Sequence, residues 1–252
     1  MKKCILIQND FSGAGKSTVI RLLRRYLQQH RVPHQLLVLD EETGSSIEPD
    51  AIYLNPTPST LRQLVNLLDE SEITLIEAAS GMGEVFMKLY ERQELSAVLS
   101  EAGVEMTVVV PVNTDHESFD AVTEAAEVYS DNVQYLIAHS CTSAYDEDDG
   151  SWDTSYAARV MDMFEAVELR IPAATVEMES TFRVLHTDLA CSLLDEGQED
   201  LLGKDHSKWM RRAIGQIETA RQYLFGDAFR SLLDTSAEPT RKARGRKVAL
   251  SL

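Results

Sequence analysis

The chain has 252 residues, of which 44% are hydrophobic and 26% are charged, and these values exclude a disordered or fibrous protein. The formal net charge of −17 argues against broad coating of nucleic acid by the whole surface. The apolar runs are far shorter than the ~20 residues of a membrane-spanning helix, and the first residues show no signal-peptide pattern. We therefore expect a soluble, cytoplasmic protein with no membrane segment.

Short apolar runs alternate with longer amphipathic segments along the whole chain. The runs predict strands at 4–7, 35–39, 73–76, 106–112, 133–138 and 168–171. The amphipathic segments predict helices at 17–30, 61–68, 85–101, 156–167, 177–194 and 207–233, and one more that follows a capping box at 114–117 and ends near 129. This alternation indicates an α/β fold with a doubly wound, mainly parallel sheet, in which ligands bind at the carboxyl ends of the strands.

A glycine-rich loop, residues 9–18, separates the first predicted strand from the first predicted helix. Strand, glycine loop and helix in this order are the setting of a P-loop, G-x-x-x-x-G-K-[ST], although Asp10 replaces the leading glycine here. Glycines permit a tight turn that points backbone amides at phosphate oxygens, and the helix N-terminus adds its dipole. We predict that the nucleotide is bound by Ser12, Gly13, Ala14, Gly15, Lys16, Ser17 and Thr18.

The side chains of this loop and of two strand ends predict how the phosphates and a metal are held. We expect Lys16 to reach the β- and γ-phosphates, Ser17 to ligate Mg²⁺ and Thr18 to lie by the α-phosphate. Asp40 and Glu77 each close a predicted strand at the edge that carries the loop. Asp40 is the candidate that orients the attacking water and Glu77 the candidate metal carboxylate, and the alternative is that each only caps the turn after its strand.

Three further stretches allow two interpretations each. Gly81 and Gly83 either form an ordinary turn or belong to a loop that senses the γ-phosphate. His139 either faces the base or has a structural role only. The acidic stretch 145–153 is either a solvated connection or a metal site.

Residues 9–18 resemble the deviant Walker A motif, K-G-G-x-G-K-[ST], of the ParA/MinD family of P-loop ATPases. The strand that ends at Asp40 resembles the second motif of this family, and residues 74–81 resemble its Walker B motif. The order of elements is most similar to the plasmid-borne TraL, MobD and StbB-like branch. The resemblance implies a SIMIBI-like P-loop fold, ATP and Mg²⁺ as cofactors, and a switch in plasmid partition, plasmid stability or conjugal DNA transfer that acts through a protein partner.

The sequence departs from that family at four places, one of which is the second motif, where the usual D-x-D is Asp40, Glu41 and Glu42 here. The signature lysine, which reaches across a nucleotide-bound homodimer, is Phe11 here, so such a dimer is expected to be weakened. Ser12 replaces a glycine of the motif. His139 and Ser140 stand where the family often has an asparagine that reads adenine, so the choice between ATP and GTP stays open.

Three functions are compatible with these residues. The first is a slow ATPase switch, slow because no obvious arginine finger is present in the chain. The second is a small-molecule or nucleotide kinase, for which Arg159 and Arg183 are the candidate arginines, although the acids that follow Ser140 repel anionic acceptors. The third is a binding module that does not hydrolyse its nucleotide, which Phe11 favours.

Residues 1–235 are expected to form the nucleotide-binding domain, and 236–252 a flexible basic tail. Within the tail, residues 239–252 hold five Lys or Arg and no acid. The tail is therefore either a solvated end or a local contact with DNA or with a partner.

Overall fold

The computed structural model describes residues 1–41, 50–140, 150–193 and 199–236. These residues form one sheet of seven strands in the order β3-β2-β4-β1-β5-β6-β7, and every pair of neighbours is parallel. The strands are β1 (Lys2–Ile7), β2 (Gln35–Leu39), β3 (Ile52–Leu54), β4 (Ile73–Ala78), β5 (Val104–Val112), β6 (Gln134–Ser140) and β7 (Val167–Ile171). The sheet confirms the predicted α/β class and the parallel arrangement.

Helices cover both faces of this sheet, which explains why its central strands are almost continuously apolar. The helices are α1 (Lys16–Gln29), α2 (Leu61–Glu70), α3 (Met82–Arg92), α4 (Leu95–Glu101), α5 (Glu117–Tyr129), α6 (Ser151–Thr154), α7 (Tyr156–Met163), α8 (Val176–Leu185) and α9 (Glu199–Ser236). Helices α1, α8 and α9 build the core on one face, and α2 to α7 build it on the other. Within the ranges described, none of these helices combines the length and the apolar character needed to cross a membrane.

Several predicted boundaries are wrong, and residues in the left-handed region account for two of them. The segment predicted as one helix at 85–101 is divided into α3 and α4 because Glu94 has a φ of 49°. The helix predicted to reach 194 ends at Leu185, where His186 has a φ of 51° and the amide of Thr187 bonds to the carbonyl of Phe182 at 3.0 Å. Nothing in the residue types at these two positions predicts a break, since neither is glycine.

The remaining corrections concern one strand and two helix starts. No sequence pattern predicts β3, a three-residue edge strand that is too short to show alternation. No capping box forms at 114–117: α5 begins at Glu117, whose amide bonds to Asp115 Oδ1 at 3.0 Å. The last helix begins at Glu199 rather than at 207, with non-helical backbone at Gly203 and Gly226. The acidic stretch before Gly150 and the tail beyond Ser236 lie outside the described residues.

The C-terminal helix is attached to α1 by aromatic packing. Phe225 and Phe229 each stack on Tyr26, with ring centroids 5.8 Å away, and both phenylalanines are buried. We expect Phe225→Ala to lower the free energy of unfolding by about 3–5 kcal/mol, because it removes a buried ring and leaves a cavity.

The measurement is equilibrium urea denaturation followed by circular dichroism. Met163→Ala is the matched control, because Met163 is 74% exposed and its truncation should change stability by less than about 0.5 kcal/mol. Equal effects of the two substitutions would show that α9 does not contribute to the core as described.

Candidate functional site

The loop between β1 and α1 has the backbone of a phosphate-binding turn. Gly13 and Gly15 have φ values of 85° and 100°, and α1 begins directly after the second of them. Gly15 is required on a second ground, because a Cβ at this position would lie 2.4 Å from Ser140 Oγ at the end of β6. A turn of this kind followed by a helix N-terminus directs backbone amides to one point, where an anion is favoured.

Asn9 fixes the start of this loop to the neighbouring strand and helix. Its side chain is buried, and Nδ2 donates to the carbonyls of Pro111 at 2.7 Å and Ser118 at 2.9 Å. Its Oδ1 accepts from the amide of Phe11 at 2.8 Å. All the principal hydrogen-bonding groups of the amide are thus used, which holds the loop in one conformation. This anchoring role of Asn9 was not predicted from the sequence.

Lys16 lies at the first residue of α1 with its ammonium turned back onto the loop. Nζ donates to the carbonyl of Asn9 and, at 3.5 Å, to that of Phe11. Burial lowers the pKa of Lys16, and the charges of Asp10 and Glu77 oppose that effect. A half-buried ammonium next to loop carbonyls and two carboxylates is well placed to exchange these partners for phosphate oxygens.

Ser17 and Glu77 meet at the point where the metal was predicted. Ser17 Oγ donates to Glu77 Oε1 at 2.8 Å, and both residues line the same cavity as Asp40. A hydroxyl and a carboxylate are the hard oxygen ligands that Mg²⁺ takes. In the described part of the chain no three His, Cys, Asp or Glu side chains form a metal-binding cluster. An ion bound here would therefore take its other ligands from phosphate oxygens and water, which is the usual coordination of Mg²⁺ at nucleotides.

A cavity of about 700 Å³ opens at the carboxyl ends of β1, β2 and β4. The residues of the predicted site that line this cavity are Ser12, Gly13, Gly15, Lys16, Ser17, Thr18, Asp40 and Glu77. Ala14, which was also predicted to bind nucleotide, is fully buried and is not part of this lining. The predicted site residues are thus brought to one place, while their roles toward a nucleotide stay predictions.

Several residues that line the cavity were not predicted from the sequence. Arg21 lines it and is 9% exposed, and its position four residues after Ser17 on α1 could have indicated that it shares that face. Ser140 lines it from the end of β6, and residues 188–190 line it from beyond α8. Residues 188–190 were predicted to be helical, so no sequence signal marked them. The structure places an arginine in the site, where none was expected.

His139 is held by an acid rather than standing alone. Its Nε2 lies 2.9 Å from Glu168 Oε2, and Trp152 Nε1 donates to Glu168 Oε1 at 3.0 Å. The Trp152 ring packs edge-on against His139, with centroids 5.3 Å apart. The two hydrogen bonds to Glu168 lower the pKa of that carboxyl, and the bond from His139 is the largest contribution. His139 lines a small cavity of about 60 Å³ that shares Ser140 with the larger one.

The two arginines considered for a kinase take different positions, and Arg183 lines a second cavity that shares Asp188 and Leu189 with the 700 Å³ one. Arg159 packs over the ring of Tyr156 on α7, 6.0 Å from its centroid, and Arg183 is on α8. Neither lines the 700 Å³ cavity.

No family model matches the chain, and no curated protein matches it. Among solved structures, the chain is similar to the MinC:MinD cell division protein complex of Aquifex aeolicus, with 10% identity and a TM-score of 0.39 over 99% of each chain. It is also similar to the MinD cell division protein of Aquifex aeolicus, with 11% identity and a TM-score of 0.40 over 94% of this chain and 98% of that one. Values this low assign no ligand, activity or partner to this chain.

The environment of Glu168 predicts a pH dependence of stability. Because its pKa is lowered on folding, its contribution is complete above the ordinary value of 4.5 and is lost as the pH falls through the lowered value. We expect Glu168→Gln to be less stable than the wild type by a constant amount between pH 6 and about pH 4.5, with the difference shrinking at lower pH. Urea denaturation at several pH values measures this difference, and a difference that does not change with pH would contradict the assignment.

Proposed function

We propose that this chain is a Mg²⁺-dependent nucleotide-binding protein that works as a slow ATP-hydrolysing switch. The observation that carries the proposal is the hydrogen bond from Ser17 to Glu77 at 2.8 Å, next to Lys16 on a loop with the backbone of a phosphate site. These three side chains provide a phosphate-binding ammonium and the two oxygen groups that a nucleotide-bound magnesium needs.

Each side chain of the site has a role in this proposal. The amides of residues 13–18 and the ammonium of Lys16 bind the β- and γ-phosphates and stabilise charge on the transferred group. Ser17 and Glu77 hold Mg²⁺, which neutralises charge on the phosphate oxygens. Asp40, on the same cavity wall, orients the attacking water.

The charges that line the cavity support a requirement for the metal. Two cationic side chains, Lys16 and Arg21, face three acidic ones, Asp40, Glu77 and Asp188. Because the acidic side chains outnumber the cationic ones, the lining does not neutralise the negative charge of a triphosphate that binds without a metal ion. A divalent cation is needed to bring the nucleotide in, so binding should be weak without it.

The cellular role in the proposal follows from the sequence resemblance described above. We infer that the switch acts in plasmid partition, plasmid stability or conjugal DNA transfer, and that a protein partner reads its nucleotide state. Contact with DNA through the basic tail and a nucleotide-dependent homodimer stay predictions. Loss of plasmid maintenance or transfer in cells that carry Lys16→Ala would support the role, and unchanged maintenance and transfer would contradict it.

Two observations bear on the alternative functions. The kinase interpretation relied on Arg159 and Arg183, and neither lines the cavity, where the arginine present is Arg21. The module that does not hydrolyse nucleotide is favoured by Phe11, which cannot neutralise phosphate charge. Phosphate release from ATP separates this module from the ATPase, and transfer of labelled phosphate to an acceptor separates the kinase from both.

We expect Lys16→Ala to lower the affinity for Mg²⁺–ATP by at least about tenfold, because it removes the only lysine of the phosphate loop. It should not lower stability, since burial acts against the charge of this side chain. Isothermal titration calorimetry and urea denaturation measure the two effects.

Lys88→Ala is the matched control, because this exposed lysine pairs with Glu84 on the surface of α3. It should bind nucleotide like the wild type. Wild-type protein that gives no heat with either ATP or GTP in the presence of magnesium would overturn the proposed function.

The metal site predicts a second effect. Glu77→Gln keeps the size of the side chain but removes its charge, so the Mg²⁺ concentration needed for half-maximal ATP binding should rise about three- to tenfold. Binding measured across a magnesium titration checks this. An unchanged magnesium requirement would show that Glu77 only accepts the hydrogen bond from Ser17.

A further inference from the structure

One carboxylate joins the phosphate loop to the start of α3. Asp10 Oδ1 accepts hydrogen bonds from the amides of Gly81 at 3.0 Å and Gly83 at 3.1 Å. Asp10 Oδ2 accepts one from the amide of Glu84 at 3.0 Å. Gly81 is the N-cap of α3 and provides no side-chain cap of its own. Asp10 therefore supplies the anion that satisfies this helix N-terminus, from a position 71 residues earlier than Gly81.

The two partners of this contact fit each other. A Cβ at Gly83 would lie 2.9 Å from Asp10 Oδ1, so glycine at this position lets α3 approach the carboxylate without displacing it. The P-loop pattern has a glycine where this chain has Asp10, so holding phosphate does not by itself require an acid there. The contact between the Asp10 carboxylate and the start of α3 thus explains both the acid in the loop and the glycine in the first turn of the helix.

Asp10 also belongs to the electrostatics of the nucleotide site. Asp10 lies between Asn9 and Phe11, whose carbonyls both accept from Lys16 Nζ, so its carboxylate is part of the surroundings of the ammonium that would receive the terminal phosphate. The charge of Asp10 also raises the pKa of Lys16. A phosphate that reaches Lys16 is repelled by Asp10, and the repulsion grows with the charge of the phosphate group. The amides that bind Asp10 belong to the segment that begins with Ala79 and Ser80, and these two residues line the cavity as well.

We propose that Asp10 is the specificity-determining residue by which this chain distinguishes a nucleoside triphosphate from a diphosphate. The γ-phosphate of a triphosphate bound at Lys16 repels the Asp10 carboxylate and releases it from the amides of Gly81, Gly83 and Glu84. A diphosphate lacks this group, and the three hydrogen bonds persist. The start of α3, which follows Glu77 in the chain, then differs between the two nucleotide states. This inference rests on the proposed function, since it requires a nucleotide at Lys16.

The first experiment compares the affinities for a non-hydrolysable ATP analogue and for ADP, both with magnesium, by calorimetry. Asp10→Asn keeps an oxygen acceptor and removes the charge, so we expect it to raise the affinity for the analogue relative to ADP by about three- to tenfold. Glu84→Gln is the matched control. It removes a neighbouring acidic charge, while the amide that bonds to Asp10 remains, and should change the ratio by less than about twofold.

The outcomes separate this inference from the proposed function. Wild-type protein that binds neither nucleotide overturns both. Wild-type protein that binds both, with the same ratio in Asp10→Asn, overturns the inference alone and leaves Asp10 as a helix cap. Equal shifts in Asp10→Asn and Glu84→Gln also overturn it, because they would show a general effect of surface charge.

A second measurement uses the wild-type chain and does not depend on a variant that folds. Amide hydrogen exchange of the first turn of α3 reports whether Gly83 and Glu84 remain hydrogen-bonded. We expect the triphosphate analogue to speed exchange at these two amides at least about threefold, and ADP to leave it unchanged. Equal exchange with the two nucleotides would overturn the inference.

Discussion

The half-buried ammonium of Lys16 is the constraint on which the rest of the site depends. Burial opposes its charge, so the surrounding chain has to make that charge tolerable. Carbonyls of Asn9 and Phe11 accept from it, and the carboxylates of Asp10 and Glu77 favour its charged form. All of these partners are also groups that a nucleotide phosphate would replace or disturb. The contacts that make this charge tolerable therefore also link the proposed ligand to the elements that carry the partners.

The register of the sheet determines which carboxylates reach this ammonium. In the parallel pairing Ile7 lies opposite Glu77, so Glu77 is level with the end of β1, where the phosphate loop starts. On its other side Glu77 is paired with Val38, which places Asp40 two residues further, beyond the end of β2. A shift of one residue would turn the Glu77 side chain to the other face of the sheet and away from Ser17. Packing of apolar side chains on both faces thus determines the chemistry of the site, because it fixes that register.

Features that rest on local pattern could be predicted, and those that rest on long-range contact could not. The glycine loop between a strand and a helix, and acids at strand ends, are local, and they identified Lys16, Asp40 and Glu77. The breaks at Glu94 and His186 come from left-handed backbone at non-glycine residues, which composition does not signal. The hydrogen bonds of Asp10 to α3 join residues 71 to 74 positions apart, so only the fold reveals them.

Phe11 and Asp10 together change how a loop of this kind can respond to nucleotide. Phe11 brings no charge to the phosphates, and its amide is bonded to Asn9, so the middle of the loop is fixed and uncharged. Asp10 adds a negative charge that accepts three hydrogen bonds from the start of α3 in the same chain. In the proposal, a phosphate that changes the balance at Lys16 acts first on α3, within one chain. A second copy of the chain is not needed for that step, and a partner that contacts the start of α3 would be sufficient to read the nucleotide state.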